Sequence, residues 1–208
     1  MTRPRVALDH LVVSAETLAA GVAHVEAALG VEMAPGGTHA AMGTHNRLLG
    51  LGPAYLEVIA IDPDAPPLAR PRWFDLDNFS GPPRLTHWVA AADDLAAALA
   101  VAPDGSGTAT PLARSDLRWT MAVPADGRLP FDGAFPALIE WHGDAHPRAR
   151  LPDRGCRLAA LQIAHPRVDA LRGALAQLAD IPQVSVADGP EPRLQAELDT
   201  PSGRRVLE

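Results

Sequence analysis

The 208-residue chain has a net charge of −7, from 25 acidic and 18 basic residues, and every basic one is an arginine. With no basic run, it lacks the clustered cations that displace counterions from a phosphate backbone, so nucleic-acid binding is set aside. Apolar residues make up 47% and aromatics only 4%, so a core for one large domain or two small ones must be mostly Ala, Val and Leu.

No run approaches the roughly 18–20 apolar residues that span a bilayer. The opening MTRPRVALDHLVV places acid and histidine inside its short apolar run, unlike a signal peptide. The single cysteine, Cys156, has no internal disulfide partner. A soluble, cytoplasmic protein with no membrane partner is the expectation.

In chain order, residues 5–13 read as a strand. Ser14 is a candidate cap for a helix that places Leu18, Val22, Val25 and Leu29 on one face, and Gly30 stands where such a helix ends. Extended pieces follow at 31–34, 38–42, 46–52 and 54–61, with Gly36-Gly37 and Gly52-Pro53 as turns. Residues 62–83 are proline-rich and hold Trp73, Phe74 and Phe79. They read as a packed flap, its rings either pinned to the core or lining a pocket. The pattern then restarts, with a strand at 85–91, a helix through Asp94, Leu95 and Leu99, and strands at 108–114, 117–123 and 137–141. A third, shorter piece begins near Cys156. It has a strand at 158–164, a helix opened by Pro166 with Val168, Leu171, Leu175 and Leu178 on one face, and strands at 184–187, 194–198 and 205–207.

The restart is a repeat. LDHLVVSAETLAAGVA (residues 8–23) and LTHWVAAADDLAAALA (85–100) match at 8 of 16 positions, histidine included. Each unit also closes on a glutamate two apolar residues after Pro-Ala, so His10 pairs with Glu57 and His87 with Glu140. By strand alternation, Leu8, His10 and Val12 share a face, as do Tyr55, Glu57 and Ile59; so do Leu85, His87 and Val89, and Leu138, Glu140 and His142. If the two units face each other, two imidazoles and two carboxylates converge, a set suited to Zn, Ni, Co, Mn or Fe. The alternative is two satisfied core histidines, with glutamates paired to arginines such as Arg47 or Arg118. In the third unit Leu161 stands where the histidines stood, so the repeat does not need a histidine to fold.

The order His10, Glu57, His87, Glu140 on β-α-β-β-β units resembles the vicinal oxygen chelate superfamily of glyoxalases, bleomycin-resistance proteins and extradiol dioxygenases. MGTHNRLLGLGPAYLEVIAID (42–62) and FPALIEWHGDAHP (135–147) look more specifically like its glyoxalase-like branch. The resemblance implies an α+β fold of paired βαβββ modules curved round a cleft, with a third partial βαβ-type unit. Residues 1–208 are then one domain with units at 5–62, 85–147 and 156–208. It implies His10, Glu57, His87 and Glu140 as ligands of a divalent metal ion, with Glu140 or Glu57 as catalytic base, a small-molecule partner and pairing of two chains as a homodimer; no organic cofactor is indicated. His45 and Asn46 read as a turn or as a polar wall of the cleft. Trp73, Phe74 and Trp119 read as core or as ligand-contacting rings. His142 reads as a partner of the site or a strand-end surface residue. Two functions stay open: metal-dependent lyase or isomerase chemistry through an enediolate-like anion, and metal-free binding of a small molecule. The third, ring cleavage by an extradiol dioxygenase, fits a two-His, two-Glu set less well.

Overall fold

The computed structural model describes residues 4–208; Met1 to Arg3, the start of the N-terminal stretch considered above, lie outside them. The first run is β1 (Val6–Ser14), α1 (Leu18–Leu29), β2 (Ala34–His39), β3 (Thr44–Gly50) and β4 (Tyr55–Ile61). The second is β5 (Arg84–Ala92), α2 (Leu95–Leu99), β6 (Thr108–Arg114), β7 (Leu117–Val123) and β8 (Ala137–His142). The third is β9 (Arg157–Ala164), α3 (Val168–Leu178), β10 (Val184–Ala187), β11 (Arg193–Thr200) and β12 (Gly203–Leu207). The first two runs share one mixed sheet in the order β2-β3-β4-β1-β5-β8-β7-β6, and the third forms a separate sheet, β10-β9-β11-β12. The α+β class with a curved mixed sheet is therefore as expected.

Local differences have local causes. Ser14 does not cap α1, because it ends β1 and its hydroxyl bonds Thr86 Oγ1 at 2.7 Å. Thr17 is the cap, its hydroxyl accepting from the Ala20 amide at 3.2 Å. Gly36-Gly37 is not a turn between two strands but an irregularity within β2, where the register with β3 slips between Pro35 and Thr38. A side chain at Gly36 would stand 2.1 Å from the Asn46 carbonyl oxygen, so only glycine lets the two backbones approach so closely. The helix expected from Pro166 begins at Val168.

The eight-stranded sheet has two apolar faces. Its outer face packs Leu11, Val13, Trp88 and Ala90 against α1 and against Leu161, Ile163, Ala196 and Leu198 of the second sheet. The third run thus buries the back of β1 and β5. Its Leu161 is fully buried there, an apolar residue in an apolar layer. The inner face gathers Val12, Ile59, Val89, Trp119, Met121 and Ile139 with Trp73, Phe74 and Leu76 from the flap. The sheet curls until its edge strands meet, with Gly37 of β2 against the Arg114 side chain of β6. No helix of the described residues is long and apolar enough to cross a membrane.

Candidate active site

Two bulges decide which side chains face inward. Between β1 and β5 the register slips at Asp9, between the pairs Leu8–Ala90 and His10–Val89. It slips again at Thr86, between Val12–His87 and Val13–Leu85. A bulge re-aims side chains by breaking the two-residue alternation. Leu8 therefore lies outside while His10 and Val12 lie inside, and Leu85 lies outside while His87 and Val89 lie inside. The expected shared faces Leu8/His10/Val12 and Leu85/His87/Val89 do not form. The bulge also turns Asp9, the neighbour of His10, toward the same inner site.

His10 is the centre of that site. Its Nδ1–H donates to Asp9 Oδ2 at 2.7 Å, its Nε2 faces Glu57 Oε2 at 3.5 Å, and its ring stacks on Tyr55 at 4.4 Å. Asp9 also accepts from His146 Nε2 at 2.9 Å and Trp141 Nε1 at 3.3 Å. The Arg148 amide donates to His146 Nδ1 at 3.1 Å, which leaves Nε2 of that ring as the nitrogen that carries the proton. Glu57 Oε1 accepts from Asn46 Nδ2 at 2.5 Å, and Asn46 Oδ1 accepts from the Gly37 amide at 2.8 Å and from Arg114 Nη1 at 3.3 Å. Arg114 Nη1 also approaches His39 Nε2 at 3.2 Å, so that ring donates from Nδ1 to Thr44 Oγ1, likewise at 3.2 Å. Trp73 meets the His39 ring edge-on at 5.0 Å, and Trp119 packs 5.5 Å from Trp141.

The charges follow from burial and partners. Burial works against an imidazolium at His10, yet hydrogen bonds and attraction from Asp9 and Glu57 outweigh it and raise its pKa to about 9. Burial likewise works against the carboxylates, but His10 holds Glu57 below the usual range, and His10 with His146 does the same for Asp9. His39 is pushed down to about 4, first by burial and also by Arg114 and His10, against the pull of Glu57. At neutral pH the site therefore holds a carboxylate, an imidazolium and a second carboxylate in a row, with a neutral imidazole alongside. Arg114 stands at the end of this row. Among the described residues no carboxylate lies within ion-pair distance of it. It borders an opening of about 450 Å³ lined by Met33, Gly36, Leu48, Leu117 and Leu151.

Of the residues expected in the site, the fold brings together His10, Glu57, Asn46, Trp73 and Trp119. It takes Glu140 elsewhere. Val89 pairs with Ala137 and Ala91 with Ile139, so Ala137, Ile139 and Trp141 face inward and Glu140 faces out. There its Oε2 accepts from the Leu95 amide at 2.8 Å, at the start of α2. His142 and His45 lie on the outer face too, His142 bonded to Thr120 at 2.8 Å and His45 opposite Ala60. His87 is buried but faces Phe74, 5.2 Å between ring centres, and Gly133. The expected four-ligand set does not form: both nitrogens of His10 already face carboxylates, and Glu140 is across the sheet. Among the described residues no group of three or more His, Cys, Asp or Glu side chains is arranged to hold a metal ion.

Tyr55 lies beside Glu57 on the face expected of it, whereas Asp9, His39, Arg114 and His146 were not expected here. Asp9 and Arg114 had a signal: an acid directly before the repeat histidine, and an arginine in phase with Thr110 and Leu112 on an alternating strand. His39 and His146 had none, since both reach the site from strand ends and loops.

A model of the family described as "Glyoxalase-like domain" matches residues 8–179. No curated protein matches the chain. Among solved structures, a hypothetical protein from Staphylococcus aureus has a TM-score of 0.62 at 10% identity, covering 91% of this chain and 88% of that one. A hypothetical protein from Bacillus halodurans has a TM-score of 0.43 at 9% identity, covering 68% and 96%. Methylmalonyl-CoA epimerase from Mycobacterium tuberculosis has a TM-score of 0.44 at 14% identity, covering 66% and 88%.

Proposed function

The chain belongs to the glyoxalase-like domain family of the vicinal oxygen chelate superfamily, and we propose that its curled sheet takes a small organic anion and moves a proton on it. Arg114 carries this reading. It is a cation that borders an opening on one side and touches the buried row through Asn46 and His39 on the other, with no carboxylate of its own among the described residues. A carboxylate or carbonyl oxygen of the substrate would bind the guanidinium as a charge-assisted pair. Glu57 would accept the proton. The His10 imidazolium, its Nδ1 held by Asp9 and its Nε2 facing Glu57, would stabilise the negative charge that develops on the substrate oxygen through its positive charge rather than through a free N–H. In this reading residues 1–208 form a single domain, and the third run backs the sheet rather than covering the cleft.

One observation favours a second reading, in which the protein binds the anion and does no chemistry. Both Glu57 oxygens already have partners, Asn46 and His10, which lowers the carboxylate's basicity. The same experiment separates the two. A panel of small 2-oxo and 2-hydroxy acids is screened by thermal shift, and acids that bind are incubated in D₂O and followed by proton NMR. Arg114→Gln should weaken binding roughly 10- to 100-fold, the loss of one charge-assisted contact. Exchange for deuterium of the C2 hydrogen of a hydroxy acid, or of the C3 hydrogen of an oxo acid, that stops in Glu57→Gln supports proton transfer, whereas binding without exchange supports the second reading. Binding that is indifferent to Arg114→Gln defeats both.

A further inference from the structure

A second cavity, of about 780 Å³, lies on the other side of the flap, where the start of β5 meets the edge of the four-stranded sheet. Its size is within the ordinary range of small-molecule sites. His87 lines it, with Phe74, Phe79, Leu129 and Leu194 as apolar neighbours and Arg84 at the rim. The row built around His10 and Arg114 makes no use of this space.

His87 is 7% exposed and makes no hydrogen bond to any described residue; its Nδ1 is buried without a partner. A buried imidazole with nothing to bond is a costly core residue, and an apolar ring would pack there at lower cost. Burial lowers its pKa to about 4, against a weaker pull from Asp75, so the ring is neutral. A buried lone pair costs less than a buried N–H, which places the proton on Nε2 and leaves Nδ1 as the bare acceptor. The ring edge carrying Nε2 is the one against which Gly133 packs: a side chain there would stand 2.8 Å from that nitrogen.

The backbone around the ring is strained. Phe74 and Asp75 have φ of 58° and 51°, and Phe131 and Asp132 have 55° and 54°. These are left-handed conformations that cost non-glycine residues of order 1 kcal/mol or more each and that cluster at functional sites. The two left-handed Phe-Asp turns lead into the Phe74 and Gly133 contacts that enclose His87. At the rim, Arg84 lies 4.3 Å over the Phe79 ring and donates to the Ser80 and Pro82 carbonyls. Among the described residues it has no carboxylate partner. Four acids also line the cavity: Asp75 and Glu208, engaged by Arg128 and Arg193, and Asp132 and Glu191.

We infer that this seam cavity is a second binding site, for a small flat apolar molecule whose carboxylate or amide oxygen accepts from the His87 Nε2–H, while Nδ1 stays sealed as a bare lone pair. The apolar body would lie against Phe74 and Leu129, and a ligand with a full negative charge would gain the Arg84 guanidinium as well. This site stands apart from the proposed chemistry at His10 and does not depend on it.

The probes are benzoate, benzamide and benzylamine, titrated into the full chain while the His87 ring resonances are followed by heteronuclear NMR. Benzoate and benzamide should shift them, and benzylamine, which offers no acceptor, should not. The same shifts should persist in Arg114→Gln, which keeps the readout independent of the first site. Arg84→Gln should weaken benzoate about tenfold and leave benzamide unchanged. His87→Phe should abolish binding of both while holding or raising the melting temperature. Probes that leave the His87 resonances unmoved in the parent protein, benzylamine binding as well as benzamide, or equal binding by His87→Phe would each overturn the inference. The parent titration decides the matter even if a variant does not fold.

Discussion

Asp9→Asn tests the electrostatics of the polar row most sharply. Asp9 is 2% exposed and accepts three hydrogen bonds, from His10 at 2.7 Å, His146 at 2.9 Å and Trp141 at 3.3 Å. Asparagine is nearly the same shape but offers one acceptor oxygen, and its amide would turn N–H groups toward N–H donors. Losing one charged partner of a buried pair costs about 3–5 kcal/mol, because the remaining ion is left uncompensated. At ~2–4 °C per kcal/mol for a chain of this size, the melting temperature should fall by roughly 6–20 °C. The His10 pKa should drop from about 9 as its strongest hydrogen-bond acceptor goes. Urea unfolding followed by tryptophan fluorescence gives the first quantity, and NMR titration of the His10 ring gives the second. A variant within ~1 kcal/mol of the parent, an ordinary surface-mutation effect, with His10 still titrating near 9, would show that Asp9 does not hold the His10 charge.

Stability should form a dome in pH. The raised His10 pKa contributes stability that is complete below its unfolded value near 6.5 and is lost as pH rises toward about 9. The lowered values of His39 and His87 act in the opposite sense, present above 6.5 and lost as pH falls toward about 4, where the lowered Glu57 adds to the loss. Urea midpoints measured from pH 4 to 9.5 should peak near neutrality, and a monotonic rise to pH 9.5 would contradict the His10 assignment. Glu140→Ala removes the acceptor at the Leu95 amide and should cost about 1 kcal/mol, as a lost helix cap does, without altering ligand binding at the inner site. Gly21→Ala sets a methyl 2.4 Å from Val58 Cγ1 and should cost about 1–3 kcal/mol by overpacking in thermal melts, despite alanine's better helix propensity.

The order and kind of nearly every element were legible in the amino-acid order alone. Strands 108–114 and 117–123 coincide with β6 and β7, and Gly30 closes α1 in the left-handed conformation expected of it. Periodicity and punctuation are local properties, and local properties survive folding. The pairing of His10 with Glu57 was also legible, because β1 and β4 keep alternation at those residues, with Val12 beside Glu57. The pairing of His87 with Glu140 was not. Both glutamates follow Pro-Ala at the same spacing, yet Glu57 faces in and Glu140 faces out.

Local order in the chain sets the α+β class, the apolar strands of a two-faced sheet, the self-similar segments at 8–23 and 85–100 and the polar identity of His10 and Glu57. Which polar groups meet is set by long-range register and packing. The bulges at Asp9 and Thr86 shift side-chain parity by one residue, and a one-residue shift moves a side chain to the other face of the sheet. The curl of the sheet brings Arg114 and His39 from opposite edges into contact, and the third run packs on the back and leaves a seam beside His87. Each of these is a long-range pairing, set by how strands register and layers pack.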